Sequence, residues 1–544
     1  HNASDSILND TGTGALKLQL GGSTKLEITS GGIDVTGAIN VNGAALSTAP
    51  EITATASGAV TAGDRLIINT NGTTSPVSST FTALSNPTGT AEQLVTTQGV
   101  DPSSRHIAYD PDNKRFLMVM RMANGSNADK IEIRAGTVTS AGVFTLGAAA
   151  TTLSNLTNNS YPTCCYAGNG RFVVMYRDNG NSFRSGGRIV TVASDLTFSV
   201  GSNTELDGSG MMSTPACEYD SDNDKVLFMW NDNNNVYLHV KSFTCSGGSF
   251  SSASSKVTIE DSYTRQVLGG QATGSWIAHD PDTERMIVMY KTGNSDATLN
   301  AYRARVIQLS GTNITVGSMQ TVATGTQGYL NWGYGVTYDT GANKLGFGYQ
   351  FENNVVYART GTVTGGSTNT ISFGTGLTVL SEDAVYFPIS ATGHSALAMF
   401  IRKASDNGHG YLVGLDIVGT SLSASNFTEV VSSNEAKFHD TILTENGQVV
   451  AMYLHGSGDT KLITGNVSSE TTTAERYVGI ANNTASNGNS VTIRTFGATN
   501  DNQSSLTVGS LHFIQKNGSL STTADDPRVE AGVALSATKI LIKG

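Results

Sequence analysis

Six polar side chains stand at one point of a recurring phrase in this chain: Arg121, Arg177, Asn231, Lys291, Gln350 and Arg402, with His455 closing the series. A guanidinium offers a planar fork of donors that suits a carboxylate or neighbouring sugar hydroxyls, and a carboxamide both donates and accepts. Repetition places these residues at equivalent positions, hence in a ring on one face, as candidate ligand-binding groups. Polar strand ends turned toward solvent account for them equally. Exposed aromatics are the other element of sugar recognition. Trp332 and Tyr334 in NWGYG, and Tyr161 in NNSYP, lie in loops leading into strands, as stacking groups or as packing between repeats.

No catalytic constellation accompanies them. The turn Asp220, Asp222, Asp224 carries alternate carboxylates that could hold Ca²⁺, but it lacks the glycine and terminal glutamate of an EF-hand loop, and turn capping explains it as well. A polysaccharide-degrading enzyme needs two carboxylates about 5 to 10 Å apart. Glu218, Glu132 and Asp416 can be offered, but their spacing gives no reason to pair them. Phosphate-loop, HExxH zinc and GxSxG motifs are missing from any supporting context. No catalytic residue, metal ligand or cofactor is expected.

The elements that must position the polar ring are strands. Seven apolar runs recur: RFLMVMR (Arg115 to Arg121), RFVVMYR (Arg171 to Arg177), KVLFMWN (Lys225 to Asn231), RMIVMYK (Arg285 to Lys291), KLGFGYQ (Lys344 to Gln350), ALAMFIR (Ala396 to Arg402) and QVVAMYLH (Gln448 to His455). A fixed period of roughly 55 residues marks a repeat architecture. Each run follows an alternating strand and a Gly/Asn/Asp turn such as DPDNK or DPDTER, the chemistry of type I turns. Alternating third strands follow, with Arg134, Arg188 and Arg359 in matching places, and then a short fourth. Four strands per repeat, the second apolar on both faces, predict a seven-bladed β-propeller over residues 79–468. Met120, Met175, Val226, Phe228, Ile287, Met289 and Met399 should be buried between blades. The last repeat stops after TKLITGNVS, so the segment from Phe81 to Val95 should supply its missing strand and close the ring.

Residues 1–48 hold short alternating strands with Gly punctuation, a ribbon that cannot bury a core alone. They read as a β fibre-shaft segment that oligomerises. Residues 49–78 and 469–544 read as two parts of one small β-domain into which the propeller is inserted.

Composition fits an all-β chain: 61 Gly and only 14% charged residues suit short strands and tight turns. The net charge of −11 argues against nucleic acid or an anionic membrane as partner. No stretch approaches the roughly 18 apolar residues of a membrane span. His1 opens no signal peptide, and the lack of an initiator Met points to residues before it. Cys164, Cys165, Cys217 and Cys245 are too few for a disulfide scaffold and read as small buried hydrophobes.

The opening NASDSILNDTGTGALKLQL, with TKLEITSGGIDVTGAINVNG, resembles shaft segments of tail-fibre proteins of tailed bacteriophages, marine ones especially. AGDRLIINTNGT, NDNQSSLTVGSLHFIQKNGSLSTT and VEAGVALSATKILIKG are similar to a module of the same proteins, as is the propeller phrase. The resemblance implies a virion structural protein: a homotrimeric fibre subunit, joined to other tail proteins, that attaches to a host-surface polysaccharide or protein receptor. It carries over no catalytic residue, so no enzyme is expected. The alternatives are a polysaccharide-degrading propeller and a purely architectural decoration of the virion.

Overall fold

The seven apolar runs become the second strands of seven sheets, and every one of them is antiparallel to the strand before it. The structure is a computed structural model that describes residues 50–543 except 91, 98–99, 124–129, 150–158, 179–181, 209–211, 233–236, 252, 262–275, 293–300, 325–332, 352–354, 366–368, 383, 433–435, 445–446, 457 and 526. It also describes strand residues 7–10, 16–20, 23–29, 32–35, 40–41 and 44–45. Among the described residues there is no α-helix, and no helix is long and apolar enough to cross a membrane. The chain divides into two units, Phe81–Ser469 and the flanking His1–Thr80 with Glu470–Gly544.

In the larger unit each sheet follows the chain outward. Its first strands are Val100–Asp110, Asn159–Tyr166, Met212–Asp220, Ile277–Asp280, Gly335–Asp339, Ile389–Ala391 and Lys437–Leu443. Each first strand is a sheet edge; each touches the first strand of the next sheet, and the seventh touches the first. That is the arrangement of a β-propeller. The outer strand is broken in two in the second to sixth sheets, both pieces pairing with the third strand, as Phe198–Val200 and Thr204–Asp207 pair with Arg184–Val192.

The cores lie between sheets. Leu117 and Val119 pack with Phe172 and Val174; Val173 and Met175 pack with Val226 and Phe228. Phe116, Met118 and Met120 meet Val450 and Met452, which closes the ring hydrophobically. Met120, Met175, Val226, Phe228, Ile287, Met289 and Met399 are all fully buried. Each such side chain contributes about 1.5–3 kcal/mol. Strands Ser79–Gly89 and Gln93–Thr96 both pair with Thr460–Thr472, so the last sheet is completed by the start of the unit.

Repeated basic residues turn out to be clamps. Arg359 Nη1 donates to Val322 O of the preceding sheet at 2.6 Å, while its Nε and Nη2 hold Gly374 O. Arg134 does the same for Val95 O and Gly147 O. The glycine is required: a Cβ on Gly374 would stand 2.0 Å from Thr420 O of the next sheet. At the start of the second strand, Arg115 donates to Val192 O at 2.7 Å and Arg285 to Asn369 Oδ1 at 2.9 Å, again across a sheet boundary.

In the smaller unit, Glu51–Thr55 and Arg65–Ile68 share a five-stranded sheet with Tyr477–Ala481 and Ser490–Arg494. Chain from before and after the propeller therefore builds one sheet. The N-terminal strands Ile7–Asp10, Leu16–Leu20, Ser23–Thr29 and Gly32–Val35 form an antiparallel meander.

Candidate functional site

Each first strand bonds to a second strand on one side only, which leaves a row of backbone N–H and C=O groups facing the ring axis. Neighbouring side chains reach in to satisfy some of them. Thr337 Oγ1 accepts from Ala391 N at 3.0 Å, and Asp440 Oδ2 accepts from Ile107 N at 3.1 Å. The channel between these strands holds the site.

Its throat is a cavity of about 200 Å³ lined by His106, Thr163, Glu218, Trp276, Asp440 and Thr441. Three donors converge on Asp440: Ile107 N, Thr441 N at 2.9 Å and, in the matching tautomer, His106 Nδ1 at 3.2 Å. Glu218 enters from the third sheet. It is half-buried, and enclosure in the channel, with Asp440 adding repulsion, pushes its carboxyl up to about 7. Trp276 is 5% exposed, and its Nε1 finds no acceptor among the described residues. A buried indole N–H left without a partner costs about 1–3 kcal/mol, which an oxygen of a bound molecule would recover.

Toward the turns the throat opens into a mouth of about 520 Å³, lined by Tyr109, Tyr166, Tyr219, His279 and His394 among others. Glu218, Tyr109 and Tyr166 line both chambers. The mouth rings are held from behind: Tyr166 Oη donates to Asp112 at 2.6 Å, Tyr219 Oη to Asp224 at 2.9 Å, and His279 Nε2 lies 2.9 Å from Asp222. Burial and the Asp224 contact push the Tyr219 phenol up to about 12. Among the described residues no lysine or arginine lines either chamber. Cys164, Cys165 and Cys217 are at the throat, but burial raises the Cys164 and Cys165 thiols, so they remain protonated and inert.

The polar ring expected at the strand ends is not a uniform binding face. Asn231, Lys291 and Gln350 are buried, and Gln350 Nε2 donates to Ala384 O. Arg121, Arg177 and Arg402 remain partly exposed. Arg177 is sandwiched between Tyr161 and Phe183 at 4.6 and 5.2 Å, and Arg402 lies over Tyr386 at 6.0 Å. The pairing Lys437 with Leu454 shows that Leu454, not His455, occupies the seventh equivalent position. In the same register Val119 of the first sheet matches Met175 of the second. Tyr334 is 3% exposed and stacks on Trp276 at 5.7 Å, so it is core rather than an exposed contact. Trp332 lies outside the described residues.

The turn carboxylates serve the fold. Asp220 Oδ1 accepts from Asp222 N and Asn223 N, and Oδ2 from Asn223 Nδ2. Asp222 pairs with His279 and Asp224 with Tyr219, so the three do not act together as a Ca²⁺ loop.

The sequence offers Glu218 without a partner and does not single out Asp440, His106 or Trp276. A signal existed. Opposite Val119, Met175, Met229, Met289, Gly348 and Met452 the first strands carry His106, Thr163, Ala216, Trp276, Gly335 and Asp440. A column that is mostly small or uncharged but contains one histidine, one tryptophan and one aspartate marks the throat.

No protein-family model matches the chain, and no curated protein does. Among solved structures it is similar to the BP39L lectin from Burkholderia pseudomallei, with 10% identity, a TM-score of 0.48, and coverage of 68% of this chain and 98% of that one. It is also similar to AofleA from Arthrobotrys oligospora, with 9% identity, a TM-score of 0.39, and 68% and 95% coverage. A third is the polysaccharide lyase Uly1, with 8% identity, a TM-score of 0.43, and 70% and 99% coverage. Likeness at this level carries no argument about ligand or chemistry.

Proposed function

We propose that this chain is a receptor-binding fibre subunit of a tailed bacteriophage, a virion structural protein that attaches to host-surface glycan through the central channel of a seven-bladed propeller. The observation that carries the glycan reading is the throat. An indole donor with no acceptor among the described residues and two carboxylate acceptors, Glu218 and Asp440, line one cavity behind a mouth of tyrosines. A saccharide supplies both the oxygens and the hydroxyl donors that such a set demands. The fibre reading is supported by the sequence resemblance and by the ribbon-like N-terminal meander, with residues 1–48 joining three copies into a homotrimer. Three channels on one fibre would turn weak individual contacts into firm attachment.

Purified chain applied to an array of bacterial surface glycans tests the reading, with Trp276→Phe as the control that removes the indole donor. Saccharide binding that the variant loses supports it; an array that stays blank, or a variant that binds unchanged, rejects it. Sedimentation should show a trimer that becomes monomeric when residues 1–48 are removed.

One observation favours a second reading. Glu218 is poised near 7 and Asp440 accepts three hydrogen bonds in the same cavity, a division of labour that acid-assisted glycoside cleavage also uses. We expect attachment without hydrolysis. Reducing ends released from host envelope, and abolished in Glu218→Gln, would establish the enzyme instead.

A further inference from the structure

The charge of the channel points to a narrower ligand class. We propose that the channel selects saccharides bearing a free amine and discriminates against acidic ones, an inference that rests on the glycan reading above.

The throat sets Glu218 and Asp440 in one cavity with His106 as the one residue of basic character, and its Nδ1 is engaged at Asp440. Around the mouth lie Asp110, Asp220, Asp280 and Asp339, all buried at the turns, with Asp112, Asp222 and Asp282 beside them. The basic residues of the same turns point elsewhere. Arg115 and Arg285 are spent on Val192 O and Asn369 Oδ1 of the next sheet, Lys225 reaches Thr244 Oγ1 at 2.8 Å, and no lysine or arginine is among the described residues that line the channel. A uronate or sialate carboxylate entering here would meet like charge, with no guanidinium or ammonium among the described lining residues to receive it. An ammonium group meets two acceptors, while Trp276 Nε1 supplies the donor that a ring or hydroxyl oxygen of the same sugar needs.

A bare metal ion fits less well. Among the described residues the clusters whose ligand atoms converge within 4.8 Å are Asp220/Asp222/His279 and Asp406/His409/Glu429, and the throat trio of Glu218, Asp440 and His106 is not one of them. Acceptors too dispersed for one ion can still be bridged by a hydrogen-bonding group on a larger ring.

Calorimetric titration of the full chain with three probes tests this: glucosamine oligomers, their N-acetylated counterparts and galacturonate oligomers. A charge-assisted bond is roughly twice as strong as a neutral one, so the amine should bind about tenfold tighter than its acetylated form. The galacturonate should not bind. Glu218→Gln, which keeps shape and removes charge, should bring the ratio of the two affinities, amine over acetylated, from about tenfold to about one. Trp276→Phe should weaken both. Equal affinity for all three probes, or a preference for galacturonate, overturns the amine selection and leaves the glycan reading intact. Binding of none of them overturns both.

Discussion

Two layers of the first strands lie only a few residues apart and are built on opposite terms. At the turns, Asp110, Asp220 and Asp280 each cap their own turn with the same three hydrogen bonds, and aromatic or imidazole groups of the next sheet take up Asp112, Asp222 and Asp282. One layer further in, the equivalent positions hold histidine, threonine, alanine, tryptophan, glycine and aspartate. The repeated layer carries architecture, because identical sheets need identical joints. The irregular layer is where the chain departs from its own repeat, and those departures line a cavity. In a repeat protein, the residue that breaks the pattern is the better guide to chemistry than the residue that keeps it.

The sharpest way to break that comparison is to hit the two kinds of residue separately. Phe228→Ala, in a repeated and fully buried position, should cost about 3–5 kcal/mol in denaturant unfolding and leave the affinity of the surviving folded protein unaltered. Asp220→Ala should cost about 1–3 kcal/mol, because it strands three donors at a buried turn, again without touching glycan affinity. Trp276→Phe should behave the other way round, with a roughly tenfold loss of saccharide affinity and a change in stability of about 1 kcal/mol at most. If the turn variant weakens binding more than the throat variant does, the division of labour is wrong.

Titration of Glu218 gives a finer probe. Its carboxyl is raised from 4.5 to about 7 in the folded protein, so its contribution to stability is full below about 4.5 and is lost as pH rises through about 7. Affinity for an amine-bearing saccharide should move oppositely, rising over the same interval as Glu218 ionises beside Asp440 and His106. Both slopes should flatten in Glu218→Gln, measured by pH-dependent denaturation and titration. The smallest effect is expected at the strand ends. Arg177→Ala should forfeit the contacts with Tyr161 and Phe183, about 0.5–1 kcal/mol, with no change in saccharide affinity. A large loss of adsorption there would return the strand-end face to consideration.

The all-β class, the repeat and the closing strand were legible because each rests on periodicity. RFLMVMR and RFVVMYR announce buried second strands, and a final repeat short of one strand announces its donor at Phe81 to Val95. The clamps were half legible: Arg134, Arg188 and Arg359 stood in matching places, but nothing local says that Arg359 reaches Val322. Exposure of the strand-end ring was not legible, because burial at these matching positions differs from repeat to repeat: Asn231, Lys291 and Gln350 are buried, whereas Arg121, Arg177 and Arg402 are partly exposed. The throat was hidden for a different reason. His106, Glu218, Trp276 and Asp440 come from four sheets, and only closure of the ring brings Asp440 to Ile107 across 333 residues.

The chain leaves the smaller unit and returns to it at adjoining residues: Thr473 N donates to Ser78 O at 3.0 Å, and the two crossing strands run on side by side from there. For the smaller unit the whole span Phe81–Ser469 is therefore topologically a hairpin loop, whose ends are already held together whatever lies between them. Such a junction makes the propeller a cassette. Recombination at Ser78 and Thr473 could replace it with another domain whose termini meet, changing what is recognised while the host sheet refolds around the same two strands.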